Sequence, residues 1–492
     1  MKKSARILSL TMALLLASTA CGTAADPTVT DTTSTADTTT AEQLSGEYVN
    51  PNVDYGGQTI RAASYDWRGD FWRVADYNLF LTEENGDVLN DAAVKAKRRV
   101  EEELNVKLEM FELGAANKPD EIITAVMAGD DEFKFGMQMQ IGMPKLLGDT
   151  SILVDLNSVP TLDLSHSWWD QNAVEAYSLY GKQYAAVGDI CYYSKTSLIS
   201  YFFNQQMIID NNLDNPYDLV REGKWTLEKL DQMVRDVSRD LNGNTEYDTD
   251  DQYGFMGERA SMAYTLIGCG QRFSDRDESG DIEIVINTPR TVDVIERFLK
   301  LINDPSCSLP VYKHEKNFDN VWVDLFLAKL KDNTALFFSN QLYVALNMRD
   351  MEADFGILPL PKYDETQKDY YTTTSSWWSD NLIIPATNNE LEMTGHVIEA
   401  LGFYAQQYVT PAFVNETVIS KTIRDEDSVE MINILYDSVI YDMAMIFEWG
   451  GVVNLVNKLP LKDTGFASTY AAEESKILAS LASTVKTLKG EQ

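Results

Sequence analysis

The chain has 492 residues, of which 44% are hydrophobic and 24% charged, so it can bury more than one sizeable core. Its formal net charge of −35 would repel nucleic-acid phosphates and anionic lipid headgroups, so we expect no nucleic-acid partner. The three histidines, His166, His314 and His396, are isolated and no Cys-x-x-Cys pair occurs, which argues against a zinc or haem site.

The first 20 residues have the layout of a signal peptide. Basic residues precede an apolar run at 7–17 that is too short to cross a bilayer. The run ends in the letters STAC, which resemble the lipobox of bacterial lipoproteins, although Ser18 stands where Leu is usual. The alternatives are lipidation of Cys21, for example with palmitate, and ordinary cleavage after STA that frees a secreted protein. Residues 21–45 lack hydrophobic periodicity, and a tether to a lipid anchor is typical of such a segment.

The next part of the chain alternates strand and helix patterns, as an α/β unit with a mostly parallel sheet does. The predicted elements are strands at residues 58–63, 106–111, 135–143, 181–189 and 196–203 and helices at residues 90–104, 120–127 and 167–177.

A helix that follows Thr226, a good N-cap, leads into a loop rich in acids and amides at residues 240–251. Its oxygen-bearing residues stand at the offsets of a twelve-residue calcium loop: Asp240, Asn242, Asn244, Glu246 (through its carbonyl), Asp248 and Asp251. Position six is Thr245 where Gly is usual, and a positive φ there would cost about 1–3 kcal/mol. The loop is therefore either a structural Ca²⁺ site or a metal-free surface turn.

The remaining chain carries further regular patterns and two distinctive lines, FGILPLPK at 355–362 and SSWWSDNLIIP at 375–385. The predicted elements are helices at residues 291–302, 321–331 and 390–407 and a buried strand at residues 334–339. Cys191, Cys269 and Cys307 are an odd set in apolar surroundings, so buried thiols are expected, although one pair could form.

These motifs together resemble a known family. A helix opening Trp-Thr, the loop with NGN followed by DQYG, YFFN at 201–204, and FGILPLPK are similar to those of the extracellular solute-binding proteins (family 1, carbohydrate type) of bacterial ABC importers. The resemblance covers residues 58–442. It implies an α/β, two-lobed periplasmic-binding-protein-like fold with a hinge and an interlobe ligand cleft. The implied lobes are 46–190 plus 380–425 and 191–379 plus 426–492.

The resemblance implies a function in binding and delivery. The protein would be a monomeric, extracytoplasmic lipoprotein that touches the membrane only through its anchor. It would capture a sugar or oligosaccharide and pass it to the membrane subunits of an ABC transporter. The alternative is a surface adhesion lipoprotein that binds glycans or proteins without import. We expect no enzyme, because no Gly-x-Ser-x-Gly, P-loop or His-Glu-x-x-His motif occurs.

Aromatic and polar residues beside the implied cleft are the predicted ligand contacts, since sugars combine an apolar ring face with hydroxyl groups. They are Tyr65, Trp67, Arg68, Trp72, Gln140, Asp189, Tyr193, Asn340, Tyr343, Trp377, Trp378 and Asp380. Packing is the alternative role for each aromatic residue. If Trp377 and Trp378 lie on a strand they face opposite sides, so at most one would meet the ligand. Trp225, Trp322 and Trp449 are expected in cores; for Trp168 and Trp169 packing is favoured over a position on the cleft side of the first lobe.

Overall fold

The computed structural model describes residues 48–65, 79–115, 117–348, 354–414, 426–462 and 465–491. The described chain belongs to one compact unit. The predicted signal peptide, Cys21 and the tether lie outside the described residues, as do Trp67, Arg68 and Trp72. Within the described ranges, no helix combines the length and apolar character that a membrane span requires.

The strands form two main sheets and three short two-stranded pairs. In chain order they are β1 (Gln58–Ser64), β2 (Val106–Glu112), β3 (Phe135–Met139), β4 (Ser178–Leu179), β5 (Lys182–Gln183), β6 (Ile199–Asn204), β7 (Tyr253–Gly257), β8 (Ser274–Arg276), β9 (Ile282–Ile284), β10 (Ser308–Pro310), β11 (Ala335–Gln341), β12 (Phe355–Leu358), β13 (Thr372–Thr373), β14 (Asp380–Ile383) and β15 (Val439–Ile440).

The first main sheet has the order β14-β3-β1-β2. Strand β1 runs parallel to both β2 and β3, with Ile60 opposite Leu108 and Ala62 opposite Phe135. Strand β14 returns antiparallel to β3, with Asp380 opposite Met139. The carboxyl ends of β1, β2 and β3 and the amino end of β14 therefore lie on one edge.

The second main sheet has the order β10-β7-β11-β6-β12. Strands β7, β10 and β11 are parallel, and β6 runs antiparallel to both β11 and β12. The carboxyl ends of β7, β10, β11 and β12 and the amino end of β6 consequently share an edge. Gly356 in β12 has a packing role, because a Cβ there would lie 2.2 Å from the ring of Phe203.

Helices cover the faces of these sheets. They are α1 (Val88–Leu104), α2 (Asp120–Ala128), α3 (Met143–Leu146), α4 (Gln171–Tyr177), α5 (Tyr192–Thr196), α6 (Gln205–Asp210), α7 (Pro216–Arg221), α8 (Leu227–Val237), α9 (Ser261–Gly268), α10 (Pro289–Ile302), α11 (Ala328–Lys331), α12 (Val344–Asn347), α13 (Leu391–Tyr404), α14 (Glu426–Asp437), α15 (Met443–Phe447), α16 (Val452–Asn457) and α17 (Phe466–Leu488). Single turns of 3₁₀ helix and the π-helical segments Trp322–Leu327 and Ala405–Val409 complete the set.

The predicted α/β class is confirmed. Each strand of the first sheet falls within the ranges predicted for the N-terminal lobe, and each strand of the second within those of the C-terminal lobe. The lobe boundaries themselves stay a prediction. The N-cap role of Thr226 is also confirmed, because its hydroxyl accepts a 3.2 Å hydrogen bond from the Lys229 N–H.

Two predicted strands are wrong in extent. The strand expected at 135–143 ends at Met139, after which the chain turns into a 3₁₀ segment and α3. The strand expected at 181–189 is broken: Lys182–Gln183 pairs with Ser178–Leu179, and beyond it only single bridges occur, from Ala186 to Leu382 and from Gly188 to Trp169. Cys191, Cys269 and Cys307 are buried free thiols, as expected.

Candidate functional site

A short segment at residues 374–379 connects one edge of each main sheet. The N–H groups of Gln140 and Ile141, just beyond β3, donate to the carbonyls of Ser379 and Ser376, at 2.8 and 3.0 Å. The Ser375 N–H donates to the Ser197 carbonyl at 3.0 Å, and Leu198 bridges to Thr374 beside β6. Residues 374–379 therefore link the carboxyl edge of the first sheet to the corresponding edge of the second. In open α/β sheets, ligands bind outside such edges.

A cavity of about 200 Å³ opens beside this link, and we call it the aromatic pocket. Its lining residues are Glu258, Trp322, Asn340, Gln341, Tyr343, Val344 and Trp378. They come from the ends of β7 and β11, the start of α12, the π-helical segment and the linking segment. The structure thus brings Trp378 next to Asn340 and Tyr343, two predicted ligand residues that lie far from it in sequence.

The rings of Tyr343 and Trp378 form one wall of the aromatic pocket. Their centroids are 5.1 Å apart with an interplanar angle of 34°. The Tyr343 N–H donates to the Thr196 carbonyl at 2.9 Å, and the Trp378 N–H donates to the Ser375 carbonyl at 2.9 Å. Both rings are therefore held by backbone hydrogen bonds close to the point where the chain passes between the sheets.

Trp377 and Trp378 do not lie on a strand, although the predicted opposite orientation of their side chains depended on one. They occupy a turn, and β14 begins at Asp380. Trp378 is half-buried against Tyr343, whereas Trp377 is 52% exposed and is not among the residues that line the aromatic pocket. Only one of the two tryptophans therefore lines the aromatic pocket, and the cause is the turn rather than strand alternation.

The assignment of Trp322 to a core is wrong in part. One edge of its ring packs against Phe326, with centroids 5.8 Å apart, but the side chain is half-buried and lines the aromatic pocket. Trp168, Trp169, Trp225 and Trp449 are buried, as expected.

Glu258 is a lining residue that sequence reasoning missed. It follows the last residue of β7, and its N–H donates to Ser261 Oγ at 2.9 Å. Its Oε1 atom is buried and has no hydrogen-bond partner. Burial raises the pKa of this carboxyl group to about 8. Its position directly after a strand that is parallel to β11 is the signal that could have identified it.

Tyr65 and Gln140 mark the edge of the first sheet, but their polar atoms are already used. The Tyr65 hydroxyl donates to Gln138 Oε1 at 3.0 Å. Gln140 Nε2 donates to the Tyr177 hydroxyl at 2.9 Å, and Gln140 Oε1 accepts from Thr374 Oγ1 at 3.3 Å. The structure places both side chains as supports beneath the link rather than in the aromatic pocket.

Three other predicted residues are buried near the link. The Asp189 carboxylate accepts a hydrogen bond from the Thr410 hydroxyl and lies 3.8 Å from Lys195 Nζ, and burial raises its pKa. The Tyr193 ring stands 6.3 Å from that of Tyr343, directly behind the pocket wall. The carbonyl of Asp380, which is 5% exposed, accepts from the Ser194 hydroxyl.

In the loop at 240–251, Thr245 at position six has a φ of 70°, the left-handed conformation for which a twelve-residue calcium loop usually has Gly. The Asp240 carboxylate accepts from the N–H groups of Gly243 and Thr245, at 2.6 and 2.8 Å. The Asp251 carboxylate accepts from the N–H groups of Leu241 and Asp248, at 2.8 and 2.9 Å.

The side chains of Asn242, Asn244 and Asp248 form hydrogen bonds within the loop. The amide nitrogens of Asn242 and Asn244 donate to Asp248 Oδ2 at 3.3 and 3.0 Å. The amide oxygen of Asn244 accepts from the Glu246 N–H at 2.7 Å. In the part of the chain that the structure describes, no three Asp, Glu, His or Cys side chains group as a metal site. A cation here would therefore depend on amide and carbonyl oxygens as well as carboxylates.

No protein-family model matches the chain, and no curated protein matches its sequence. Solved structures do share its fold. One is the protein UgpB from Mycobacterium tuberculosis in complex with glycerophosphocholine, at TM-score 0.58 and 14% identity, covering 87% of this chain and 99% of that one. Another is the cyclic alpha-maltosyl-1,6-maltose binding protein from Arthrobacter globiformis, at TM-score 0.56 and 11% identity, covering 88% and 100%.

A third is an ABC substrate-binding protein from Listeria monocytogenes in complex with cycloalternan, at TM-score 0.54 and 12% identity, covering 89% and 100%. At these identities the likeness shows the fold. The predicted periplasmic-binding-protein-like architecture is confirmed.

Proposed function

We propose that this protein captures a sugar or oligosaccharide outside the cytoplasm and delivers it to the membrane subunits of an ABC importer. The observation that carries the proposal is the aromatic pocket at the carboxyl edge of the second sheet, beside the segment that leads to the first. Aromatic walls and two amide side chains are the groups that a pyranose needs. The structures that share the fold include proteins whose names state sugar binding, which supports the same conclusion.

The pocket would hold a sugar through two kinds of contact. The ring faces of Tyr343, Trp378 and Trp322 would cover the apolar face of a pyranose. Asn340 and Gln341 would pair with its hydroxyl groups, each of which costs about 1–3 kcal/mol if it is buried unpaired. The protein's role would then be binding and release, with no chemical change in the ligand.

Isothermal titration against neutral monosaccharides, oligosaccharides and a polysaccharide tests this proposal. We expect a short sugar to bind, the chain to become more compact in small-angle scattering, and Tyr343→Ala to weaken binding by about tenfold or more. Leu461→Ala, at a residue that is 58% exposed and outside the pocket, is the matched control. Binding of the polysaccharide alone, without compaction, would instead support an adhesion protein that is not coupled to import.

We further propose that the chain is anchored through lipid on Cys21. The support is the motif STAC after a short apolar run. Expression in a bacterial host followed by membrane fractionation tests it, with Cys21→Ser as the variant. Release of only the variant into the soluble fraction is expected. Equal release of both would favour ordinary cleavage and secretion.

We also propose that the loop at 240–251 holds a structural Ca²⁺. The support is the positive φ of Thr245 at position six and the convergence of the Asn242, Asn244 and Asp248 side chains. Calcium should raise the melting temperature and a chelator should lower it, because an ion that binds only the folded state stabilises it. Asp240→Ala should remove the response, whereas Glu246→Gln should keep it, since position seven contributes its carbonyl. An unchanged melting temperature in wild type with both additives would identify a metal-free turn.

A further inference from the structure

The aromatic pocket contains an acidic group that the sugar contacts described above do not use. Glu258 Oε1 is buried without a hydrogen-bond partner. Leaving such an oxygen unpaired is costly, so a native structure that retains one calls for an explanation in terms of function or a missing partner. None of the described residues that line the pocket is Lys, Arg or His.

The basic residue next in sequence does not neutralise this carboxyl group. The Arg259 guanidinium lies on the exposed surface and is paired with Glu315, its Nε lying 3.0 Å from Glu315 Oε1. Tyr264 is a further titratable group close to Glu258, and its side chain is hydrogen-bonded to Ser375. Because Arg259 is paired with Glu315 and Tyr264 is neutral, neither residue supplies a positive charge to Glu258.

The aromatic walls of the pocket also favour a positively charged ligand group. Trp322, Tyr343 and Trp378 surround the cavity together with Glu258. The faces of aromatic rings carry negative potential and attract cations, most strongly where water is excluded. A carboxyl group among aromatic faces therefore has the composition of a site for an organic ammonium group.

We infer that the ligand carries a positively charged ammonium group, which binds against Glu258 and the faces of Trp322, Tyr343 and Trp378. This inference rests on the proposed function, and within it the ligand class is an amino sugar or an oligosaccharide that contains one. The ammonium supplies the partner that Glu258 Oε1 lacks. The raised pKa of Glu258 agrees, because that shift describes a carboxyl group whose cation is not in place.

The alternative is a neutral sugar whose hydroxyl group pairs with a protonated Glu258. It uses the same pocket but needs no charge on the ligand. A pair of ligands that differ only at nitrogen separates the two: the disaccharide of β-1,4-linked glucosamine and its N,N′-diacetylated form. Choline is the third probe, because it carries an ammonium group without a sugar.

Isothermal titration of wild type and Glu258→Gln with these probes is the test. We expect wild type to bind the glucosamine disaccharide at least about tenfold more tightly than the acetylated form, as charge-assisted and cation–π contacts predict. Glu258→Gln keeps the shape of the side chain and should abolish that preference. Melting temperatures of both proteins confirm that the variant is folded.

The possible results separate the ammonium inference from the proposal of a sugar ligand. Equal or tighter binding of the acetylated sugar, or a preference that survives in Glu258→Gln, overturns the ammonium inference and leaves sugar capture standing. Choline binding that Glu258→Gln abolishes, with no sugar bound, supports the ammonium inference and overturns the proposal of a sugar ligand. Failure of wild type to bind either ammonium probe overturns the inference.

Discussion

Burial keeps the carboxyl group of Glu258 protonated up to a pKa of about 8, compared with 4.5 for an ordinary glutamate. Between these two pH values the unfolded chain ionises Glu258 while the folded chain does not. The free energy of unfolding is therefore not reduced by Glu258 below pH 4.5, and it falls as the pH rises from 4.5 to about 8.

Glu258→Gln removes that titration and leaves every other group in place. We expect its melting temperature relative to wild type to increase steadily across the same pH interval, by an amount that corresponds to at most a few kcal/mol. Thermal denaturation of both proteins over a pH series measures the difference. A constant difference would show that Glu258 is hydrated and not perturbed by burial.

The two adjacent tryptophans should differ in their effect on ligand binding. Trp378 faces Tyr343 inside the aromatic pocket, and Trp377 is 52% exposed outside its lining. Trp378→Ala should weaken ligand binding by about 1–2 kcal/mol, and Trp377→Ala should have the smaller effect. Titration of both variants with the best ligand of the sugar panel measures this order. The reverse order would place the ligand outside the pocket.

Sequence alone predicted three residues of the pocket, Asn340, Tyr343 and Trp378, because they follow a predicted strand or lie in a motif of the resembling family. It missed Glu258, since nothing local distinguishes one acid among 76 Asp and Glu residues. Glu258 reaches the pocket because β7, which precedes it, pairs with β11 from residues 253 and 335 onward. A local sequence pattern does not contain this long-range pairing. The exposure of a single tryptophan likewise depends on a turn that periodicity does not specify.

At the scale of elements, Asp442 joins a helix to a distant strand pair. Its carboxylate accepts from the Phe273 N–H at 2.7 Å and from Ser274 Oγ at 2.6 Å, beside β8. It also caps α15 by accepting from the Ala444 N–H at 2.9 Å. The side chain is 4% exposed, so water cannot replace these bonds without a structural change.

Asp442→Ala would leave several buried N–H and O–H donors without an acceptor. We expect a loss of about 3–5 kcal/mol in the free energy of unfolding, since each unpaired group costs about 1–3 kcal/mol. Urea denaturation measures it. Asp442→Asn is the control, because its amide oxygen keeps one acceptor and should cost less. A loss below about 1 kcal/mol for the alanine variant would show that solvent enters the site.

Elements with a clear periodicity were predictable, and those fixed by tertiary contacts were not. Both β1 and β2 end within one residue of the predicted ends, and alternation of apolar and polar residues identified β2, which buries one face more than the other. The apolar run at 135–143 reads as one long strand, yet the structure breaks it at Met139. The break lets the N–H groups of Gln140 and Ile141 donate to the linking segment at 374–379, a contact about 240 residues away in sequence.

At the scale of the whole molecule, the net charge of −35 should influence how a ligand arrives. A strongly acidic surface raises the local concentration of cations and speeds their association. We expect the association rate of the glucosamine disaccharide to fall several-fold between about 0.01 M and about 0.15 M salt, as the Debye length shortens from about 30 to about 8 Å. Stopped-flow fluorescence measures it.

The acetylated disaccharide serves as the control for that measurement. It has no charge to steer, so its association rate should change little with salt. A similar salt dependence for both sugars would show that the ions act on the protein's conformation rather than on the approach of the ligand.

The link between the sheets also has a mechanical consequence. The linking segment, which leads into β14, lies beside the segment that leads into β6, and the two are held together by the bridge between Leu198 and Thr374 and by the hydrogen bond from the Ser375 N–H to the Ser197 carbonyl. Two backbones that are hydrogen-bonded side by side bend more easily than they twist, because twisting would break the hydrogen bonds between them. At this link we therefore expect a relative movement of the two sheets to be a bend rather than a twist, with the rings of Tyr343 and Trp378 close to the bending axis.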